Sequence, residues 1–282
     1  MKAEVWINER HGLAESPFYD PRTKKYSWVD IDAGRLWISS NSVERYHFEL
    51  GQPIGAAVPG EKCGSYVLAA GDGLYLYSDG KAERFCDLSD VYPPQMRSND
   101  AKADPAGRLW FGSSGRVSNE MNGALYRYDN GAVTVMQAET RIANGMAWSS
   151  DKTRFFFSET LCRAVFAYDH DNERGEIHDR RVLFEVEKGL PDGMCIDADD
   201  NLWVAFWDGG RIEKRSTETG EKLDEIQLPA QNITSCCFGG DEFDTLLITS
   251  SGAGLDGKYD GCLFRCVTDV RGKAPDYAMT NI

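Results

Sequence analysis

Short apolar, aromatic segments recur along the chain at even intervals, each bounded by polar turns. They are "YSWVDI" from Tyr26, "GLYLYS" from Gly73, "RLWFGS" from Arg108, "RFFFSE" from Arg154, "NLWVAF" from Asn201 and "DTLLIT" from Asp244. Most are followed by a second strand opening on a glycine turn, as in "GRLWIS" at Gly34, "GALYRY" at Gly123, "GRIEKR" at Gly210 and "GCLFRC" at Gly261. Helical periodicity is almost absent: no capped stretch of a dozen residues keeps apolar positions at i, i+3, i+4 and i+7. The pattern predicts an all-β protein. Six copies in 282 residues leave roughly 47 residues each, in the range of a four-stranded propeller blade. The expected architecture is one domain over residues 1–282, a six-bladed β-propeller with four-stranded blades around a central channel. A double β-sandwich is the competing architecture, because strand spacing alone does not separate the two.

The residues ahead of these strands repeat as well. "AESPFYDP" has Glu15 then Asp20, "RSNDAKADPAGRLW" has Asn99 then Asp104, "IANGMAWSSD" has Asn144 then Ser149, and "PDGMCIDADDNLW" has Asp192 then Asp197. Ser65 and Ser235 stand at about the same phase in the remaining copies. In a propeller the first strand of each blade lines the channel, so one phase of that strand forms a ring at one mouth. Glu15, Asn99, Asn144 and Asp192 are therefore expected to converge. An oxygen-bearing side chain can also do no more than cap a turn, but capping would place it at the turn and not five positions before it. Carboxylates and amides without imidazole or thiolate suit a hard divalent cation such as Ca²⁺, Mg²⁺ or Mn²⁺, and Zn²⁺ is compatible.

Charge and composition narrow the partners. The formal net charge is -14, and no run of Lys or Arg could follow a phosphate backbone, which argues against nucleic acid and anionic membranes. The start lacks a basic region leading into an apolar stretch, and no window approaches a membrane span, so a cytoplasmic protein is expected. The eight cysteines show no C-x-x-C and no clustering beside histidine; most are expected to be reduced core thiols. "GAGLDG" from Gly252 matches a dinucleotide fingerprint but opens no helix, and "DHDNERGEIHD" from Asp169 reads as a solvated hairpin because Gly175 is out of register for a calcium loop. "GSSG" at Gly112 is not a nucleophile elbow.

At "LAESPFYD", "YSWVDI", "RSNDAKADPAGRLWFG", "ANGMAWSSD", "LPDGMCIDADDNLWVA" and "TSCCFGG" the chain resembles the gluconolactonase family that includes senescence marker protein 30 (regucalcin) and the luciferin-regenerating enzymes. The resemblance runs over essentially the whole chain. It implies a six-bladed propeller with one divalent metal in the channel, Ca²⁺ first and Zn²⁺, Mg²⁺ or Mn²⁺ as the other candidates, hydrolysing lactones of sugar acids. Glu15, Asn144 and Asp192 fall where that family holds its metal, Arg97 and Asn99 where it contacts substrate, and Asp100 in the same motif as a further pocket residue. The chain departs from the family in having Ala14, Ser16 and Ala101 where glycines are frequent, and in a shorter connection from Ser113 to Asn122, where Glu120 is the candidate lid residue.

The expected enzyme is a metal-dependent hydrolase of carboxylic esters. Asp192 would act as the catalytic base and Arg97 would stabilise negative charge or hold hydroxyls. The competing readings are a non-catalytic propeller that binds calcium or a protein partner, and a metal-dependent esterase with another substrate.

Overall fold

In the computed structural model, which describes residues 1–116 and 123–280, twenty-four strands form six antiparallel four-stranded sheets. The chain starts with β1 (Glu4–Ile7). The first blade then runs β2 (Ala14–Asp20), β3 (Lys25–Asp30), β4 (Arg35–Ser39) and β5 (Arg45–Glu49). The second is β6 (Ile54–Pro59), β7 (Tyr66–Ala70), β8 (Gly73–Ser78) and β9 (Lys81–Asp87). The third is β10 (Met96–Ala103), β11 (Leu109–Gly115), β12 (Gly123–Asp129) and β13 (Ala132–Thr140). The fourth is β14 (Ala143–Trp148), β15 (Arg154–Glu159), β16 (Ala164–Asp171) and β17 (Glu176–Glu185). The fifth is β18 (Leu190–Ile196), β19 (Asn201–Trp207), β20 (Arg211–Ser216) and β21 (Lys222–Gln227). The sixth is built from β22 (Asn232–Gly239), β23 (Thr245–Ser251), β24 (Leu263–Val267) and the N-terminal β1, which pairs antiparallel with β24. The six first strands β2, β6, β10, β14, β18 and β22 contact one another in a closed cycle. The molecule is the six-bladed propeller that the sequence repeat predicts.

Burial follows radial position. β2 and β22 are buried at every residue, whereas the outer strands β5, β13 and β17 alternate or lie open. A strand enclosed on both faces reads as a continuous run of small and apolar residues, and one with a wet face alternates. Apolar clusters fill the space between blades. Trp203, Ala205 and Ile212 of the fifth blade pack with Cys236, Ile248 and Phe264 of the sixth.

The second polar position of the repeat is structural. Asp104 Oδ1 accepts from the backbone N–H of Ala106 and Arg108 (both 2.9 Å), while its Oδ2 accepts Trp110 Nε1–H at 3.0 Å. Asp197 does the same in the fifth blade, capping Asp199 and Asn201 and accepting Trp203 Nε1–H at 3.0 Å. Each carboxylate ties an inner turn to a fully buried tryptophan of the next strand.

Two details of the repeat differ from the sequence reading. "GLYLYS" is the third strand of its blade, β8, and not the second; the second is β7, "YVLAA", whose small residues disguise it. Ser65 therefore precedes β7 and sits outside the channel, donating its hydroxyl to the Lys62 carbonyl at 2.6 Å. The hairpin reading of the Asp169 segment stands: β16 turns into β17 with Asp171 Oδ1 accepting from the N–H of Glu173 and Arg174.

Candidate functional site

All six inner strands run in the same direction along the channel, and each is irregular near its start. Pairing slips between Glu15 and Phe18, Ile54 and Ala56, Ser98 and Ala101, Ala143 and Met146, Pro191 and Met194, and Ile233 and Ser235. A bulge bends a strand and re-aims the side chain beside it. At this level the six blades present Glu15, Gly55, Asn99, Asn144, Asp192 and Thr234. Ser235 is one position farther on, packed against Gly193, whose added Cβ would lie 2.1 Å from Ser235 Oγ.

Glu15, Arg97, Asn99, Ser114, Asn144, Thr160 and Asp192 share the wall of one cavity of about 210 Å³ with a rim of Leu13, Ile142, Leu190 and Trp207. The predicted residues are thus brought together, Asp100 excepted. Asp100 is buried and close enough to raise the carboxyls of Glu15 and Asp192, but it does not line the cavity. Glu120 lies outside the described residues. Ser114, Thr160 and Trp207 went unread in the sequence because each lies at or just past the end of a second strand, which the repeat marks as packing; Thr160 opens the short 3-10 turn after β15.

The hydrogen bonds divide the ring. Thr160 Oγ1 donates to the Pro191 carbonyl at 3.0 Å, so toward Asn144 it can only accept, and it takes Asn144 Nδ2–H at 3.2 Å. That fixes the amide: Asn144 Oδ1 is left buried with no partner. Asn99 is the opposite case. Its Oδ1 accepts Arg97 Nη1–H at 2.7 Å and its Nδ2 donates to the Ala143 carbonyl at 3.1 Å, so the whole amide is engaged. Thr234 is engaged too, donating to the Ala14 carbonyl at 2.6 Å across the boundary between the sixth and first blades.

Glu15 and Asp192 are the two acids of the wall, and each is 6% exposed or less. Burial first, then repulsion from Asp192 and Asp100, holds the Glu15 carboxyl well above its ordinary value. Burial first, then Asp100, does the same to Asp192. Arg97 offsets part of this in both, and its own pKa is pulled below the ordinary value by burial. Two buried acids crowded against each other and an orphaned amide oxygen form an all-oxygen set that a hard divalent cation would satisfy at once. Among the described residues no three His, Cys, Asp or Glu are grouped to hold a metal; the set here relies on an asparagine as its third member.

The model of the SMP-30/gluconolactonase/LRE-like region matches residues 13–252. Regucalcin from Danio rerio is 34% identical over 296 residues, covering 99% of this chain and 99% of that one. Pentonolactonase from Haloferax volcanii is 34% identical over 256 residues, covering 87% of this chain and 84% of its own. The structure of a calcium-binding protein, regucalcin, from Agrobacterium tumefaciens is similar with a TM-score of 0.91 at 26% identity, over 97% of this chain and 96% of that one. By the matched region, the whole-length relatives and the shared propeller, the chain belongs to the SMP-30/gluconolactonase/LRE-like family.

Proposed function

We propose that this protein is a metal-dependent lactonase that opens sugar-acid lactones to the free acid. The observation that carries the reading is the convergence of Glu15, Asn144 and Asp192 on one cavity, with Asn144 Oδ1 left without a partner. A relative named pentonolactonase supports the substrate class. Glu15, Asn144 and Asp192 would hold one divalent cation, Ca²⁺ being favoured by the oxygen-only set and by the name of the Agrobacterium tumefaciens relative. Such a cation supplies positive charge that polarises an ester carbonyl and acidifies water.

The chain's own groups account for the rest. Asp192 is the base: its carboxylate takes the proton of the attacking water as oxygen adds to the lactone carbonyl carbon. Arg97 Nη1–H is committed to the Ser98 carbonyl and Asn99, which aims the guanidinium so that its remaining N–H groups meet the charge growing on the carbonyl oxygen. Asn99 positions Arg97. As the ring C–O bond breaks, the proton held by Asp192 returns to the leaving alkoxide. The apolar rim of Leu13, Ile142, Leu190 and Trp207 excludes bulk water from the buried acids.

A calcium-binding propeller without catalysis is the second reading, favoured by the regucalcin relatives. One experiment separates them. Metal-stripped protein is incubated with a panel of aldonolactones, with Ca²⁺, Mg²⁺, Mn²⁺ or Zn²⁺ added in turn, and acid release is followed against spontaneous hydrolysis. Cation-dependent release supports the lactonase; cation binding by calorimetry with no release from any lactone supports the second reading.

A further inference from the structure

The channel has a second mouth, at the C-terminal ends of the inner strands. Its cavity, about 80 Å³, is lined by Lys102, Cys195, Cys237 and the segment Lys273–Asp276 that crosses it. Beside this cavity, Cys195 of β18 and Cys236 of β22 bring their sulfurs to 3.5 Å across the boundary between the fifth and sixth blades. Both are free thiols.

The surroundings suit oxidation. Cys195 is partly exposed and opens on the cavity, which gives a small oxidant a way in. Cys236 is buried, with its S–H donating to the Trp203 carbonyl at 3.3 Å, so it is held beside Cys195 and shielded from direct attack. Lys102 reaches into the same space and donates to the Met194 carbonyl, next in sequence to Cys195. Burial holds the Cys236 thiol well above its ordinary pKa, with Lys102 opposing only in part, so Cys236 keeps its proton. A disulfide needs its sulfurs about 2.05 Å apart, so the pair must close by about 1.5 Å. The two cysteines lie on β18 and β22, strands that already pack against each other.

We propose that Cys195 and Cys236 are a peroxide-oxidisable thiol pair that closes an inter-blade disulfide. The Cys195 thiolate attacks one oxygen of hydrogen peroxide; the O–O bond breaks, the departing hydroxide is protonated to water, and Cys195 becomes a sulfenic acid. The Cys236 sulfur then displaces the sulfenic hydroxyl. The S–O bond breaks as the S–S bond forms, and the hydroxyl leaves as a second water with the Cys236 proton. Two thiols are oxidised and one peroxide is reduced to two waters.

The test uses the full folded chain, treated with hydrogen peroxide, quenched with catalase, then unfolded in N-ethylmaleimide and mapped by mass spectrometry without reduction. The expected result is a linked peptide pair containing Cys195 and Cys236 and the loss of two alkylatable thiols per chain, both recovered after dithiothreitol. Cys236→Ser should abolish the linked pair and leave Cys195 trappable by dimedone. Full alkylation of Cys195 and Cys236 after treatment, with exposed Cys63 or Cys162 oxidised instead, overturns the proposal. A link from Cys195 to Cys237 also overturns it. Because the linked peptide is sought in the wild-type chain, a misfolded variant does not rescue or sink the result.

Discussion

Asn99 and Asn144 are the same residue type at the same level of neighbouring inner strands, yet one amide is fully engaged and the other has a free oxygen. The difference lies in the partners: a guanidinium consumes Asn99 Oδ1, whereas a hydroxyl that has already donated its proton takes only the N–H side of Asn144. Asp192→Asn should lower lactone turnover by roughly 10²–10⁴-fold with the fold retained, read from kcat beside a circular dichroism melt; near-normal turnover would remove Asp192 as the base. Glu15→Gln should weaken cation affinity, and an unchanged calorimetric Kd would contradict its ligand role. The acids also predict a pH dependence. Glu15 and Asp192 have folded pKa values above their unfolded ones, so the folded state binds the extra protons, and their contribution to stability is full in mild acid and is lost as pH rises through the folded values. In metal-free protein the melting temperature, compared with that of an E15Q/D192N double variant, should fall as pH rises above about 4, the ordinary carboxylate value. A flat difference would mean that the pair is not protonated on folding.

At the scale of the strand, the bulge after each ring residue sets how closely the blades approach. Gly145 follows Asn144, and a Cβ there would lie 2.5 Å from the Asp192 carbonyl oxygen. Neither backbone can yield without moving a cavity residue. Gly145→Ala should cost about 2 kcal/mol by denaturant unfolding and should weaken cation binding as well. Stability loss alone, with cation affinity intact, would show that the strand relaxes away from the site. Ser16 occupies the matching place after Glu15 at φ 50°, a left-handed conformation that costs a non-glycine residue roughly 1 kcal/mol. Its hydroxyl accepts the Ala57 N–H at 3.3 Å, a bond worth about 1 kcal/mol. These two terms oppose and nearly cancel, which explains how serine stands where the family often has glycine.

For the whole molecule the critical feature is closure. β1 completes the sixth blade, and Trp6 within it packs edge-on against Tyr26 of the first blade at 5.2 Å between ring centroids. The two ends of the chain thus join the ring. Removing residues 1–8 exposes the edge of β24 and strips the contacts of Ile7, which is 2% exposed. The deletion should cost at least about 2 kcal/mol and broaden the thermal transition. An unchanged, equally sharp melt would show that closure rests on the inner strands alone.

Much of this was legible in the chain. The alternation of aromatic strands and glycine turns carries the all-β class and the six-fold repeat, because burial on both faces of a strand requires apolar residues in sequence order. The phase shared by Glu15, Asn99, Asn144 and Asp192 carries the ring, since a channel-lining strand converts a repeated position into a shared location. The repeat misled in the second blade, where β7 consists of small residues and the aromatic run belongs to β8. It was silent on β1, whose partner lies at the other end of the chain. Tertiary structure alone decided which oxygens are free, because that depends on how Arg97 folds back on Asn99 within β10, on Thr160 meeting Asn144 inside the fourth blade, and on the Pro191 carbonyl taking the Thr160 proton across the boundary to the fifth. The same holds for Cys195 and Cys236, which sit 41 residues apart in the chain and meet only because neighbouring inner strands lie side by side.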